Sequence, residues 1–162
     1  MEHTKAVEEA RRTRTLLRSH LERCLQDIWS TPELVTDADR DYPYRKGTTM
    51  CWVSLTGGPV PGVQVFAHAA YELRTSAKLL KEVNEINART RWAKVAFRDG
   101  IVLVSVALDA AAVDRLALAH AIESVGEVAD DIGSLLAGVY GGRTPHAPEL
   151  EPHDQNATEE AA

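Results

Sequence analysis

Asp37, Asp39 and Asp41 alternate in a short polar stretch, the spacing with which carboxylates open a calcium loop. Such a loop needs glycine at its sixth position for a sharp turn and a bidentate glutamate at its twelfth. Tyr42 and Thr48 stand there instead, so the segment reads as a charged, solvated turn. The histidines (His3, His20, His68, His120, His146 and His153) include no pair four apart and no His-Glu-x-x-His, so no metal site is expected. His120 falls near the apolar stripe of a helix, where a hydrogen-bonded core or interface histidine is the expectation. Cys24 and Cys51 form no Cys-x-x-Cys frame and have no histidine pair nearby, so they read as small buried hydrophobes. No serine stands in Gly-x-Ser-x-Gly, and Gly57-Gly58-Pro59 lacks the Lys-Ser/Thr and the helix that a phosphate cradle requires. No catalytic residue, no metal and no cofactor is expected, and the chain reads as a non-enzyme.

Two polar groups invite binding rather than catalysis. Arg11, Arg12, Arg14 and Arg18 have the side chain best suited to phosphate contacts, which makes nucleic acid an alternative partner. Glu2, Glu8, Glu9 and Glu22 dilute them, and an exposed helix with i,i+4 ion pairs accounts for the pattern. Asn84 and Asn87 share one helix face beside Val83 and Ile86. Asparagine competes for backbone hydrogen bonds inside a helix, so the pair reads as an anchor fastening the helix end to a neighbouring strand, or capping it.

The elements follow from apolar spacing. Leu17, Leu21, Cys24, Leu25 and Ile28 recur at three and four residues and predict a helix over 5–29, stopped by Pro32, with 1–15 as a solvated extension. Residues 42–46, 48–56 and 63–71 alternate as strands, with Pro43 confining the first to an edge. A second helix spans 76–88 through Leu79, Val83 and Ile86, with Thr75 and Ser76 able to cap it. Strands 92–98 and 101–108 flank Asp99-Gly100, a strong hairpin signal. Both faces of 101–108 are mostly apolar, which predicts a central strand. Asp109 would cap a last helix over 110–140, whose stripe runs through Val113, Leu116, Ala117, Ala121, Val125, Val128, Ile132, Leu135, Leu136 and Val139 before Gly141-Gly142 closes it. The fold class is therefore α+β, an antiparallel sheet of about five strands with three helices in the order α-β-β-β-α-β-β-α.

The chain has 162 residues and a net charge of −6, with 44% hydrophobic and 26% charged residues, which predicts one soluble domain over 1–142. After position 142, Glu149, Glu151, Asp154, Glu159 and Glu160 face only Arg143 among the bases, so 143–162 reads as a disordered acidic tail. The apolar run Ile101–Leu108 falls far short of the roughly 20 residues that span a bilayer, and the first residues carry no signal-like apolar block. No membrane partner and a cytoplasmic location are expected.

Three stretches, Asp37-Ala38-Asp39-Arg40-Asp41-Tyr42, Leu80-Lys81-Glu82-Val83-Asn84-Glu85-Ile86-Asn87 and Arg98-Asp99-Gly100-Ile101-Val102, together with the element order, resemble the YbjN-like and type III secretion chaperone-like superfamily over roughly residues 20–140. The turn differs in carrying Arg40 where that family often has glycine. The resemblance implies a bacterial, non-catalytic homodimer that holds a partly unfolded peptide or protein client on exposed apolar surface without ATP. A structural or regulatory dimer without a client is the alternative within the same fold. Three helices cannot fully blanket a five-stranded sheet of this length, so apolar strips should remain for another chain. Leu21, Leu25, Ile28 and Trp29 of the first helix, with Trp52 on the sheet, are the expected client contacts. Leu79, Val83, Trp92 and Val95 are the expected self-interface.

Overall fold

The computed structural model describes residues 2–57 and 60–148, with side chains from position 7 onward. Among them are the helices α1 (Glu2–Trp29), α2 (Ala77–Arg89) and α3 (Arg115–Tyr140) and the strands β1 (Tyr42–Lys46), β2 (Thr49–Thr56), β3 (Gly62–Ala70), β4 (Lys94–Arg98) and β5 (Ile101–Asp109). The order is the one the apolar spacing predicts. The sheet runs β1-β2-β3-β5-β4 with every neighbouring pair antiparallel. Pro43 sits in an edge strand, where its missing N–H costs no ladder bond. Asp99 and Gly100 have φ of 50° and 82°, and this pair of left-handed residues makes the β4–β5 turn that matches strand twist.

Period-two alternation sorts each strand into a buried row and a second row. The buried rows, Cys51–Val53–Leu55, Val63–Val65–Ala67 and Val102–Val104–Val106, join Leu21 and Leu25 of α1, Leu79 of α2 and Leu118, Val125 and Leu136 of α3 in one core. Helix α3 crosses β3 and also touches β5, β2 and β1, α2 packs on β4, and α1 packs on α3. Ser76 Oγ accepts from the Leu79 N–H at 3.1 Å and starts α2.

Helix α3 departs from the expected stripe in both start and rotation. Asp109 makes no side-chain cap and leads into a short 3₁₀ turn, Ala110–Ala112. Asp114 caps instead, its Oδ1 accepting from Ala117 N–H at 2.8 Å. The buried face then includes Leu118, Ile122, Gly126, Ala129, Gly133 and Ala137, while Leu116, Leu135 and Val139 of the expected stripe are exposed. The reason is distance. A Cβ added at Gly133 would overlap the Ala69 carbonyl oxygen, and one at Gly126 would lie 3.0 Å from Lys46 Cγ. Small residues at Gly126 and Gly133 let the helix axis approach the sheet, so the buried face includes glycine and alanine positions beside Leu118, Val125 and Leu136.

Two loops are tied down by side chains. Asp37 Oδ1 accepts from both the Asp39 and Asp41 N–H groups at 3.0 Å, which occupies the acidic turn with its own backbone. Asp130 Oδ1 accepts from Thr48 N and Thr48 Oγ1, each at 2.8 Å, and pins the β1–β2 turn to α3.

The first residues of the expected tail are bonded to the sheet. Tyr71 and Arg143 exchange backbone bonds of 2.7 and 3.0 Å, and the His146 N–H donates to Thr48 O at 3.0 Å. Residues 143–148 therefore run along the end of the sheet as a strap. The remainder of that expected tail, 149–162, lies outside the described residues.

Candidate functional site

Side chains on the inward rows show which sheet face the helices occupy. Tyr42 Oη donates to Glu22 Oε1 of α1 at 2.7 Å and accepts from Arg18 at 2.8 Å. Its hydroxyl pKa is pushed up to about 12, chiefly by burial and then by the Glu22 bond. Tyr44 Oη donates to Ile122 O of α3 at 3.1 Å, and burial pushes its pKa up as well. On the far edge, Asn87 Oδ1 accepts from the Val95 N–H at 3.0 Å, which fastens the end of α2 to β4. All three helices thus lie on one face, and Arg18 of the arginine cluster is engaged in holding β1.

Among the described residues, the opposite row of each strand packs against none of the helices. Register places Pro43, Trp52, Phe66, Ser105 and Lys94 side by side across the sheet, and Arg45, Met50, His68, Leu103 and Ala96 in the next row. Trp52 stacks on Phe66 with centroids 5.2 Å apart and planes at 16°, and its ring lies 4.8 Å from His68. His68 meets Tyr71 edge-on at 5.4 Å, with Nδ1 2.8 Å from the phenol oxygen, and the Arg143 guanidinium lies over the Tyr71 ring at 5.1 Å. The result is a ladder of half-buried rings on the bare side. Aromatic pairs of this kind contribute about 0.5–1.5 kcal/mol beyond area burial, and they have few rotors to freeze when a partner arrives.

Burial lowers the His68 pKa and raises that of Tyr71, the latter opposed by Arg143. A folded-state histidine held below its ordinary 6.5 disfavours the cation, so its contribution to folding is present above that pH and is lost as pH falls. The face is therefore neutral at its centre at physiological pH.

The sequence-based site residues divide by side and by burial. Trp52 lies on the bare face. Leu21 and Leu25, expected as client contacts, have no exposed surface in the single chain and pack in its core. Their spacing is that of any buried helix stripe, which does not by itself distinguish core from groove. Ile28 and Trp29 are half-buried on the helix side, where Trp29 meets Tyr44 at 5.8 Å and both line a groove of about 470 Å³. They do not share a face with Trp52. Leu79, Val83 and Val95, expected at a self-interface, are likewise buried in the single chain, each 7% exposed or less. Trp92 is 70% exposed and borders a groove of about 560 Å³ with Val106, Leu108 and Val128. Asn84 is exposed and makes no side-chain hydrogen bond among the described residues. His120, expected in a core or interface, is exposed between the two grooves.

Met50, Phe66, His68 and Leu103 were missed as site residues. Their signal in the sequence is partial, because the second rows of β2, β3 and β5 hold Met50, Trp52, Phe66, Ile101 and Leu103 beside polar Ser54, Thr56, Gln64 and Ser105. Among the described residues no cluster of three or more His, Cys, Asp or Glu could hold a metal ion, and no helix is long and apolar enough to cross a membrane.

The Asn87 bond gives an energetic test. Asn87→Ala leaves the edge N–H of Val95 without its partner and is expected to cost about 1 kcal/mol, against less than about 0.5 for Asn84→Ala. Urea unfolding midpoints of the two variants check the difference.

Helices gathered on one side of an antiparallel sheet and an aromatic row left bare on the other define an α+β binding module. Comparison with known proteins agrees. The family described as T3SS (YopN, CesT) and YbjN peptide-binding chaperone 1 matches residues 15–148, and the chain belongs to that family. Among solved structures it is similar to the crystal structure of the ExsC-ExsE complex, with a TM-score of 0.54 and 14% identity over 73% of this chain and 94% of that one. At that identity the likeness is one of fold. A search of curated proteins gave no match.

Proposed function

We propose that this protein holds an extended apolar segment of an incompletely folded client protein against the bare face of its sheet, without catalysis. The observation that supports this reading is the Phe66–Trp52–His68–Tyr71 ladder, built on rigid strands and left uncovered by every helix. Membership of a peptide-binding chaperone family, and a similar fold solved as a two-protein complex, point the same way. An extended segment offers alternate side chains to a flat surface at the period of a strand, so every second residue meets the rings. The groove at Ile28 and Trp29, beside Tyr44 and across the β1 edge from Pro43, gives a second contact for a segment that leaves the face there. Soluble arrays of 15-residue peptides graded in apolar content test this, with binding expected to follow apolar content and to vanish in fully polar peptides.

The protein acts in this reading as a cytoplasmic homodimer joined at α2 and β4. Trp92 at 70% and Leu80 at 47% exposure supply the apolar contacts, and buried Leu79, Val83 and Val95 support them from beneath. Exposed tryptophan is costly to leave in water and is enriched where chains meet. Trp92→Glu is expected to convert a dimer to a monomer with its helical content unchanged. Light scattering at tens of micromolar checks it, and a wild-type monomer there removes this part of the reading.

A further inference from the structure

Helix α1 runs unbroken from Glu2 to Trp29, yet its first core residue is Leu17 and residues 7–16 are all exposed. The segment has no glycine or proline at which to bend back onto its own domain. A helix draws most of its stability from packing an amphipathic face, and this arm packs none in the single chain. Val7, Ala10, Arg11 and Arg14 stand at i, i+3, i+4 and i+7, the spacing of a face that enters a groove. Val7 is 56% exposed, and neither arginine makes an ion pair among the described residues. The groove of about 560 Å³ beside α3 is complementary in both respects. Val106 and Leu108 of β5, Ala117, Ala121 and Val128 of α3, and Trp92 give it an apolar lining, and its charged residues are Glu123 and Glu127, with no lysine or arginine. Glu123 has only an exposed pair with Lys46, a weak contact in open solvent. Lengths agree as well: Ala117 to Val128 spans about 17 Å of helix and residues 7–16 span about 14 Å.

We propose that the basic arm of one copy, residues 7–16 of α1, docks in the acidic, apolar groove of a second copy, with Val7 and Ala10 against its apolar lining and Arg11 and Arg14 toward Glu123 and Glu127. Each chain carries one arm and one groove, so reciprocal exchange closes at two copies. The contact goes beyond the α2–β4 joint proposed above, which uses none of these four charges, although Trp92 borders both.

The test mixes two full-length chains, one ¹⁵N-labelled and one unlabelled, the latter carrying a nitroxide on Thr13→Cys, off the docking face. Cys24 and Cys51 are buried, so the label goes to the introduced thiol. Only contact between copies can then broaden a tryptophan signal of the observed chain. Broadening of the Trp92 indole N–H is expected in 0.01 M salt, where the Debye length is about 30 Å, and its loss in 1 M salt, where it is about 3 Å. The Trp52 signal, from the other side of the sheet, should be unaffected. Adding Arg11→Glu and Arg14→Glu to the spin-labelled chain should abolish the effect, and adding Glu123→Lys and Glu127→Lys to the observed chain should bring it back. That rescue separates a charge-matched contact from a variant that misfolds. No Trp92 broadening between wild-type charges at low salt overturns the proposal. Broadening that the arginine reversal leaves intact also overturns it and assigns the contact to the α2–β4 joint. Broadening of Trp52 instead overturns it and places the arm on the bare face. A Trp92 signal moved by apolar array peptides but never by the arm overturns it too and gives the groove to a client.

Discussion

Gly133→Ala is expected to destabilise the protein by about 2–4 kcal/mol, whereas Gly138→Ala, further along the same helix, should stabilise it by about 1 kcal/mol. The two substitutions are chemically identical and differ in what the new methyl group meets. At Gly133 it runs into the backbone carbonyl of Ala69, which cannot rotate away, so α3 must lift from β3. At Gly138 nothing lies within 4 Å, and only the gain in helix propensity remains. Because α3 contacts β3, β5, β2 and β1, lifting it loosens packing over most of the core. Urea unfolding of both variants gives the sign and the size, and equal midpoints would show that α3 does not approach the sheet as closely as described.

Trp52→Ala should weaken apolar peptide binding by about 30-fold or more, the loss of roughly 2 kcal/mol that marks a central aromatic anchor. Its neighbours Phe66 and His68 then lose their stacking partner, so the ladder is broken at its middle. The effect on folding should be smaller, because Trp52 lies outside the buried core. Trp92→Ala, in a side chain on the helix face, should leave peptide affinity unchanged. Isothermal titration with one apolar array peptide separates the two variants.

The element order was legible because strand and helix periods are strong in this sequence and the turns carry their own chemistry, as at Asp99-Gly100. The edge position of β1 was legible through Pro43. Depth was not. Leu21, Leu25, Leu79, Val83 and Val95 look like any apolar stripe, and periodicity does not say whether a stripe meets its own core or another chain. The rotation of α3 escaped for a related reason: Gly126, Gly133 and Ala137 carry little hydrophobic signal, yet close helix–sheet contact depends on their small size. In β5 the apolar content of both rows predicted a central strand, and β5 does lie between β3 and β4, with Ile101, Leu103 and Ser105 on the side away from the helices. Apolar residues there are better explained by a partner than by a layer of the same domain.

The strap shows the same limit for composition. Arg143 to Pro148 is rich in proline and lacks large apolar residues, the usual mark of a tail. Its backbone is nevertheless held by Tyr71 and Thr48, contacts between segments far apart in sequence.

The chain contains three tryptophans, and each reports a different surface: Trp29 the groove behind β1, Trp52 the bare sheet face, Trp92 the α2–β4 side. Titrating the ¹⁵N-labelled protein with an apolar array peptide and following the three indole signals is therefore the most direct trial of where a client sits. The Trp52 signal is predicted to move furthest and to saturate with the binding isotherm. A Trp52 signal that stays fixed while Trp29 or Trp92 saturates would contradict the assignment of the bare face as the binding surface.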